Sequence, residues 1–138
     1  MKRINLFLLI VMIVAALQLA ACGPQATKTE KIAPSKLEEI EGSDLQRVIL
    51  TEKAAERIGL QTVPASGQVV PYSAVIYDTE GNTWIYTNPA PLTFLRAPIA
   101  IDRIEGDQAF LSQALESDAP IVTVGVAEIY GAETGVSK

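Results

Sequence analysis

The chain has 138 residues, of which 49% are hydrophobic and 20% charged, and its formal net charge is −5 at pH 7. An acidic chain without a basic stripe argues against nucleic-acid binding, which requires lysine and arginine to neutralise phosphates. The sequence contains no histidine and a single cysteine. It therefore lacks the commonest general base and the commonest metal ligand, and it cannot form an internal disulfide.

Residues 1–21 have the pattern of a signal peptide. A basic start precedes an apolar run at residues 4–17, and Leu-Ala-Ala-Cys follows, ending at Cys22. At about 14 residues, the run is shorter than the roughly 20 that a membrane-spanning helix needs. An ordinary signal peptide with an incidental cysteine and a retained membrane anchor are the alternatives to a lipoprotein signal.

The Leu-Ala-Ala-Cys motif resembles the lipobox of bacterial lipoproteins. The resemblance implies cleavage before Cys22 and a lipid on its sulfur, so that Cys22 attaches the chain to a membrane. It places the protein in the cell envelope, lipid-anchored to a bacterial membrane, with its domain facing the periplasm or the cell exterior.

Residues 22–44 are predicted to form a lipidated flexible tether. The segment is rich in Gly, Pro, Ser, Thr, Lys and Glu, and its large aliphatic residues are Ile32, Leu37 and Ile40. So few apolar side chains bury too little surface to offset the entropy of ordering the chain. A short helix at residues 35–41 that docks on a partner is the alternative.

The globular part is predicted over residues 45–130 and begins with a strand at 45–50. Thr51 is a suitable N-cap for a short helix at 52–58, and Gly59 is suited to the left-handed residue that ends it. A second strand follows at residues 60–63.

A hairpin at residues 71–87 organises the rest of the domain. Residues 72–77 and 83–87 are rich in aromatic and β-branched side chains, and a polar, glycine-containing turn joins them. Because side chains alternate across a strand, Trp84 and Tyr86 should share one face and Ile85 should occupy the other.

The remaining segments predict further short strands. The prolines at residues 89 and 91 should interrupt regular structure, and Pro98 suggests an edge strand or a bulge. Strands are predicted at 94–101, 108–111 and 121–124, with a loop or a single helical turn at 112–120 and a frayed tail at 131–138. Six or seven short strands with one short helix indicate a mainly β fold, a small β-roll or barrel.

Two separated segments carry a resemblance to a known family. The first is VILTEKAAERIGLQTVPA at residues 48–65, and the second spans the hairpin and the later strands. The features of the second segment are Ala74-Val75, Gly81, Trp84-Ile85-Tyr86, Phe94, Arg96, Val122 to Gly125, and Ile129. Together they resemble the periplasmic adaptor subunits of bacterial efflux pumps, also called membrane fusion proteins, in their membrane-proximal domain. The resemblance implies a β-roll that lies against a membrane transporter.

The chain departs from that family in two places. Full-length adaptors carry a long α-helical hairpin and a lipoyl-like domain between the two segments, whereas here a few residues join Val63 to Val70. The family's Gly-Leu-x-x-Gly-Glu turn corresponds to residues 114–119, which contain no glycine, so that the turn must have another conformation.

Three side chains of the hairpin and the next strand are predicted to bind a partner: Trp84, Tyr86 and Arg96. Trp84 could stack on a ligand or belong to the core. Arg96 could pair with a carboxylate of the partner, or it could lie over Trp84 or Phe94 in a cation–π contact. The four tyrosines, Tyr72, Tyr77, Tyr86 and Tyr130, suit an interface, since tyrosine is enriched there.

Catalysis has little support, because the sequence has no histidine and no Gly-x-Ser-x-Gly motif. Asp102, Glu105 and Asp107 could bind a hard cation or could be solvated acids of a turn. We therefore expect no enzyme and no cofactor or metal. The leading hypothesis is an interaction module associated with a transporter or an adaptor complex. The alternative is an envelope lipoprotein that binds a small ligand or an ion.

Overall fold

The structure is a computed structural model that describes residues 33–135. The predicted signal peptide, Cys22 and the first part of the predicted tether lie outside the described residues, as do the last three residues of the predicted tail. Ten strands in two antiparallel sheets and two α-helices make up the described part, which confirms the mainly β class.

The strands are β1 Ser35–Glu39, β2 Gln46–Leu50, β3 Gln61–Val63, β4 Val69–Pro71, β5 Ile76–Tyr77, β6 Thr83–Ala90, β7 Thr93–Ile99, β8 Ile101–Glu105, β9 Gln108–Leu111 and β10 Ile121–Val124. The helices are α1 Glu52–Ile58 and α2 Val126–Thr134. The larger sheet has the order β1-β2-β7-β6-β10-β3, with β5 also paired to β6, and the smaller sheet has the order β4-β9-β8.

The alternation of side chains along β6 separates two hydrophobic cores, as predicted. Tyr86 belongs to the first core, against which Trp84 packs, whereas Ile85 belongs to the second. The first core also contains buried residues of α1 and α2, and the second contains buried residues of β4 and β9. The larger sheet therefore packs against helices on one face and against the smaller sheet on the other.

The ends of α1 agree with the prediction. The Ala54 amide donates to the Thr51 hydroxyl at 3.2 Å, which satisfies one of the free donors at the helix start. Gly59 has φ +63°, the left-handed conformation that ends a helix. Ala54 and Ala55 are buried, so that the short helix is held by packing rather than by its own length.

The first strand of the predicted hairpin is much shorter than expected. A 3₁₀ turn occupies Tyr72–Ala74, and β5 is limited to Ile76–Tyr77. The turn buries Ala74 in the second core, and Ile76 lies in the first core two residues later. A continuous strand would alternate regularly and put both side chains on the same face.

The two proline predictions have different outcomes. β6 continues through Pro89 to Ala90 and ends before Pro91, but its pairing with β7 is irregular around Pro89, because the register shifts between Thr87 and Ala90. Pro98 does lie on a free edge, since β2 pairs with β7 only as far as Leu95.

The predicted tether is wrong at its C-terminal end, and so is the alternative helix. β1 pairs with β2 along its full length, and the carbonyl of Pro34 accepts the Thr51 amide at 3.0 Å. The edge of β2 supplies hydrogen-bond partners that residues 35–39 satisfy despite their weak strand propensity.

The predicted frayed tail is also wrong as far as Gly135, since residues 126–134 form α2. Val126 and Ile129 are buried, which gives this helix an apolar face against the first core. Gly125 precedes the helix with φ +91°, and a side chain there would meet Ile58 and Leu60. Glycine thus permits both the conformation and the close approach of α2 to the end of α1.

Candidate protein-docking site

A shallow, mainly apolar groove lies between the segment before β6 and the first turns of α2; we call it the aromatic groove. Its volume is about 540 Å³. Its lining residues are Ser73, Val75, Ile76, Tyr77, Thr123, Gly125, Val126, Ala127, Glu128 and Tyr130. Glu128 is the one charged side chain among them.

Large side chains are exposed along the aromatic groove. Tyr77 is 49% exposed and Tyr72 is 40% exposed, and Val124, between two lining residues in the chain, is 38% exposed. Hydrogen bonding with the Tyr72 side chain, and then burial, raises the pKa of Tyr77. The apolar surface therefore continues beyond the groove.

A buried polar contact fixes α2, which forms one wall of the aromatic groove. The Tyr86 hydroxyl donates to Oε2 of Glu133, and the Arg96 guanidinium lies 3.3 Å from Oε1 of the same carboxylate. The Glu133 side chain is only 5% exposed. Burial, and then hydrogen bonding to Glu133, raises the pKa of Tyr86, so that Tyr86 stays a neutral donor.

Arg96 connects this contact to two aromatic rings. Its guanidinium carbon is 4.5 Å from the centre of the Trp84 ring and 5.8 Å from that of Tyr130, which itself lines the aromatic groove. The Nε atom of Arg96 is buried and has no hydrogen-bond partner. The structure thus shows the predicted cation–π contact with Trp84 rather than a side chain free to meet a partner's carboxylate.

The turn before β6 fixes Trp84 from its other side. The Trp84 indole N–H donates to Oδ2 of Asp78 at 2.9 Å, and the Asn82 side-chain amide donates to the same oxygen at 2.9 Å. Hydrogen bonds from Asn82 and then from Trp84 lower the pKa of Asp78 to about 2. An ionised Asp78 therefore orients the indole.

The three residues predicted to bind a partner come together, but beneath the surface. Tyr86 is completely buried, and Trp84 packs on the first core. The side chain of Arg96 is 15% exposed. They support the wall of the aromatic groove, whereas the accessible tyrosines are Tyr72 and Tyr77.

The sequence pattern does not single out Glu133 or Glu128, because the predicted tail at residues 131–138 includes Glu133 and no element is predicted over residues 126–130. The signal was present as helical spacing, since Val126, Ile129 and Glu133 recur on one face at intervals of three and four. The partners of Glu133 are Tyr86 on β6 and Arg96 on β7. Because both are distant in the chain, no local sequence pattern indicates the role of Glu133.

The acidic turn between β8 and β9 is organised around a cation of the chain itself. Arg103 pairs with Glu105 at 2.7 Å and with Asp102 at 3.2 Å, and its guanidinium carbon lies 4.0 Å from the centre of the Phe110 ring. Within residues 33–135, no three acidic or thiol side chains are grouped as metal ligands would be.

A second groove, of about 590 Å³, lies between the loop that follows β9 and the strands β6 and β7; we call it the loop groove. Ala97, Pro98 and Ile99 line one part of it, and Leu115 lines the loop side. Its walls are mostly apolar, with Thr87 as a polar residue of the strands.

Comparison of the chain with family models, curated proteins and solved structures finds no match. In the described part of the chain, neither helix has the length and apolarity needed to cross a bilayer.

Proposed function

We propose that this protein is a lipid-anchored extracytoplasmic interaction module that docks on a membrane transporter or an adaptor subunit through the aromatic groove. The observation that carries the proposal is the mainly apolar groove lined by Tyr77, which is itself 49% exposed, together with the exposed ring of Tyr72. Tyrosines are enriched at the centres of protein interfaces, and a contiguous apolar patch on a small domain is typical of an interaction site.

The chemistry of the groove defines the partner. An apolar or aromatic side chain would enter between Tyr77 and Val126, and a lysine or arginine beside it would face Glu128. The described part of the domain is acidic overall, with 15 Asp and Glu against 6 Lys and Arg over residues 33–135. This excess of negative charge favours encounter with a basic surface.

The lipid anchor and the envelope location rest on the sequence around Cys22. The resemblance to adaptor subunits supplies the class of partner, because their membrane-proximal domain lies against a transporter. In vivo labelling with a fatty acid tests the anchor: the chain should incorporate the label, and Cys22→Ser should abolish it and release the domain from the membrane fraction.

Site-specific photocrosslinking tests the docking site. A photoreactive residue is placed at Tyr77 in the full chain and, as a matched control, at Ile104, which is 44% exposed on the edge strand β8. We expect Tyr77 to capture a transporter or adaptor subunit, identified by mass spectrometry, and Ile104 to capture none. Equal capture at both positions, or none at Tyr77, would contradict the proposal.

The loop groove favours a second function, the binding of a small apolar ligand. Its volume of about 590 Å³ lies within the roughly 300–1,000 Å³ of small-molecule sites. Native mass spectrometry of the purified protein should then detect a bound molecule, and Ala114→Trp, which places a ring in this groove, should remove it. Absence of any bound mass would eliminate this function.

A further inference from the structure

β1 is attached to the domain by one edge. Among residues 33–135 it pairs with β2 and with no other strand, and neither hydrophobic core described there includes any residue from 33 to 45. Leu37, its one large aliphatic side chain, is 38% exposed. The strand therefore gains little from burial, which is the main source of stability for the other strands.

The polar contacts of β1 are weak individually. Glu38 pairs with Lys36 of the same strand at 2.9 Å and with Arg47 of β2 at 3.5 Å, and all three side chains are at least a third exposed. Exposed ion pairs of this kind add little stability. The backbone hydrogen bonds to β2 and those between Pro34 and Thr51 thus hold the strand.

The turn between β1 and β2 is acidic, and residues 41–44 of it are exposed. Glu39, Glu41 and Asp44 line one open, polar concavity, and Gly42 has φ +79°. Like charges held together in a tight hairpin repel each other, and the repulsion falls when the turn extends. The turn can therefore act as a hinge, and local opening of β1 costs less than unfolding of the domain.

An open β1 leaves the edge of β2 that faces away from β7 without a strand partner. An exposed strand edge recruits another strand. From these observations we propose that β1 exchanges between two copies of this chain, so that the β1 of each copy pairs with the β2 of the other. The β1 of a second copy fits this edge of β2, because it has the same sequence as the strand it replaces. It therefore restores Leu37 opposite Val48 and the Glu38–Arg47 ion pair. The exchange does not depend on the proposed docking partner.

Disulfide trapping tests the exchange in the membrane. Glu38 and Arg47 are direct cross-strand neighbours, close enough for a disulfide between cysteines at these positions. Two full chains are co-expressed and oxidised, one with the single substitution Glu38→Cys and the other with the single substitution Arg47→Cys. We expect a disulfide-linked dimer of one chain of each kind on a non-reducing gel. Chains of a single kind, and the unmodified chain with Cys22 alone, should give no such dimer.

The double variant Glu38→Cys, Arg47→Cys is the geometric control. Oxidised within one chain, it should lock β1 in place and eliminate exchange with co-expressed single-cysteine chains. If the double variant closes its own disulfide while the co-expressed single variants remain monomeric, the cysteines react but β1 does not exchange, and the proposal is overturned. Equal dimer yields from mixed and from single-kind chains would also overturn it, because they would show contacts unrelated to strand pairing.

Discussion

The two faces of β6 bury different kinds of side chain. On one face, Tyr86 reaches a carboxylate of α2, and Arg96 of the neighbouring strand joins the same carboxylate. On the other face, Ile85 packs among apolar side chains, of which Val70, Ala109 and Leu111 belong to the smaller sheet. Of two adjacent residues in β6, Tyr86 therefore makes a directional polar contact and Ile85 makes non-directional apolar contacts.

The polar contact on one face of β6 fixes a wall of the aromatic groove more strictly than apolar packing could. Apolar packing accepts small shifts of the elements it joins, whereas a buried ion pair with a hydrogen bond is satisfied in one arrangement. The contact between Glu133 and the pair Arg96 and Tyr86 therefore determines where α2 lies. We infer that the polar face sets the geometry of the site and that the apolar face mainly supplies stability.

Removal of the Glu133 carboxylate should have the largest effect. Glu133→Ala leaves the guanidinium of Arg96 and the hydroxyl of Tyr86 without their acceptor, and we expect a loss of about 3–5 kcal/mol in the free energy of unfolding. Urea denaturation monitored by Trp84 fluorescence measures this loss. Glu128→Ala, on the exposed side of the same helix, is the control and should change stability by less than about 0.5 kcal/mol. Similar losses for both variants would contradict the inference.

The second-largest loss of stability should come from crowding at the start of α2. Gly125 has φ +91°, and an added Cβ would lie 2.9 Å from Cδ1 of Ile58. Gly125→Ala should cost about 2–3 kcal/mol, from the left-handed backbone and the displaced Ile58 together. Gly135→Ala, at φ +74° with no atom near its Cβ, carries only the backbone cost of about 1–2 kcal/mol. Equal costs would show that the contact between α1 and α2 is loose.

A smaller effect is expected on the apolar face. Ile85→Val removes one methylene from the second core and should cost about 0.5–1.5 kcal/mol. Because α2 does not touch this core, photocrosslinking through Tyr77 should be unchanged, whereas Glu133→Ala should reduce it. If Ile85→Val reduces crosslinking as strongly as Glu133→Ala, the two faces do not have separate roles.

Period-two alternation was sufficient to predict the two faces of β6. Trp84 and Tyr86 share one face and Ile85 takes the other, because a strand leaves no other choice. Alternation does not say what lies above each face. Trp84, Tyr86 and Arg96, which the sequence predicts as partner-binding residues, lie together, and Glu133 of α2 contacts Tyr86 and Arg96.

The position of Glu133 and the strand β1 could not be predicted, because both depend on contacts with residues distant in the chain. Glu133 contacts Tyr86, 47 residues earlier. β1 contains a lysine and two glutamates in five residues, a composition that disfavours strands. It is a strand because β2 offers an unpaired edge, and the carbonyl of Pro34 is bound by Thr51, 17 residues later. Tertiary partners override local propensity in both cases.

The smallest expected effect concerns the orientation of Trp84 and depends on pH. The pKa of Asp78 falls from 3.8 to about 2 on folding, because its ionised form accepts hydrogen bonds from Asn82 and Trp84. A depressed pKa means that the unfolded chain binds a proton more readily than the folded one. The stabilisation is therefore complete above pH 3.8 and is lost as the pH falls to about 2.

Asp78→Asn removes this titration while keeping a side chain of similar size. Melting temperatures measured between neutral pH and pH 2 should show a deficit of the variant at neutral pH that narrows towards pH 2, since Asp78 becomes increasingly protonated over this range. Glu80→Gln is the matched control in the same turn, because it retains the hydrogen bond from Trp84 to Asp78. A deficit that stays constant with pH would mean that the charge of Asp78 does not hold the indole. The support of Arg96 and Trp84 would then come from the Glu133 side alone.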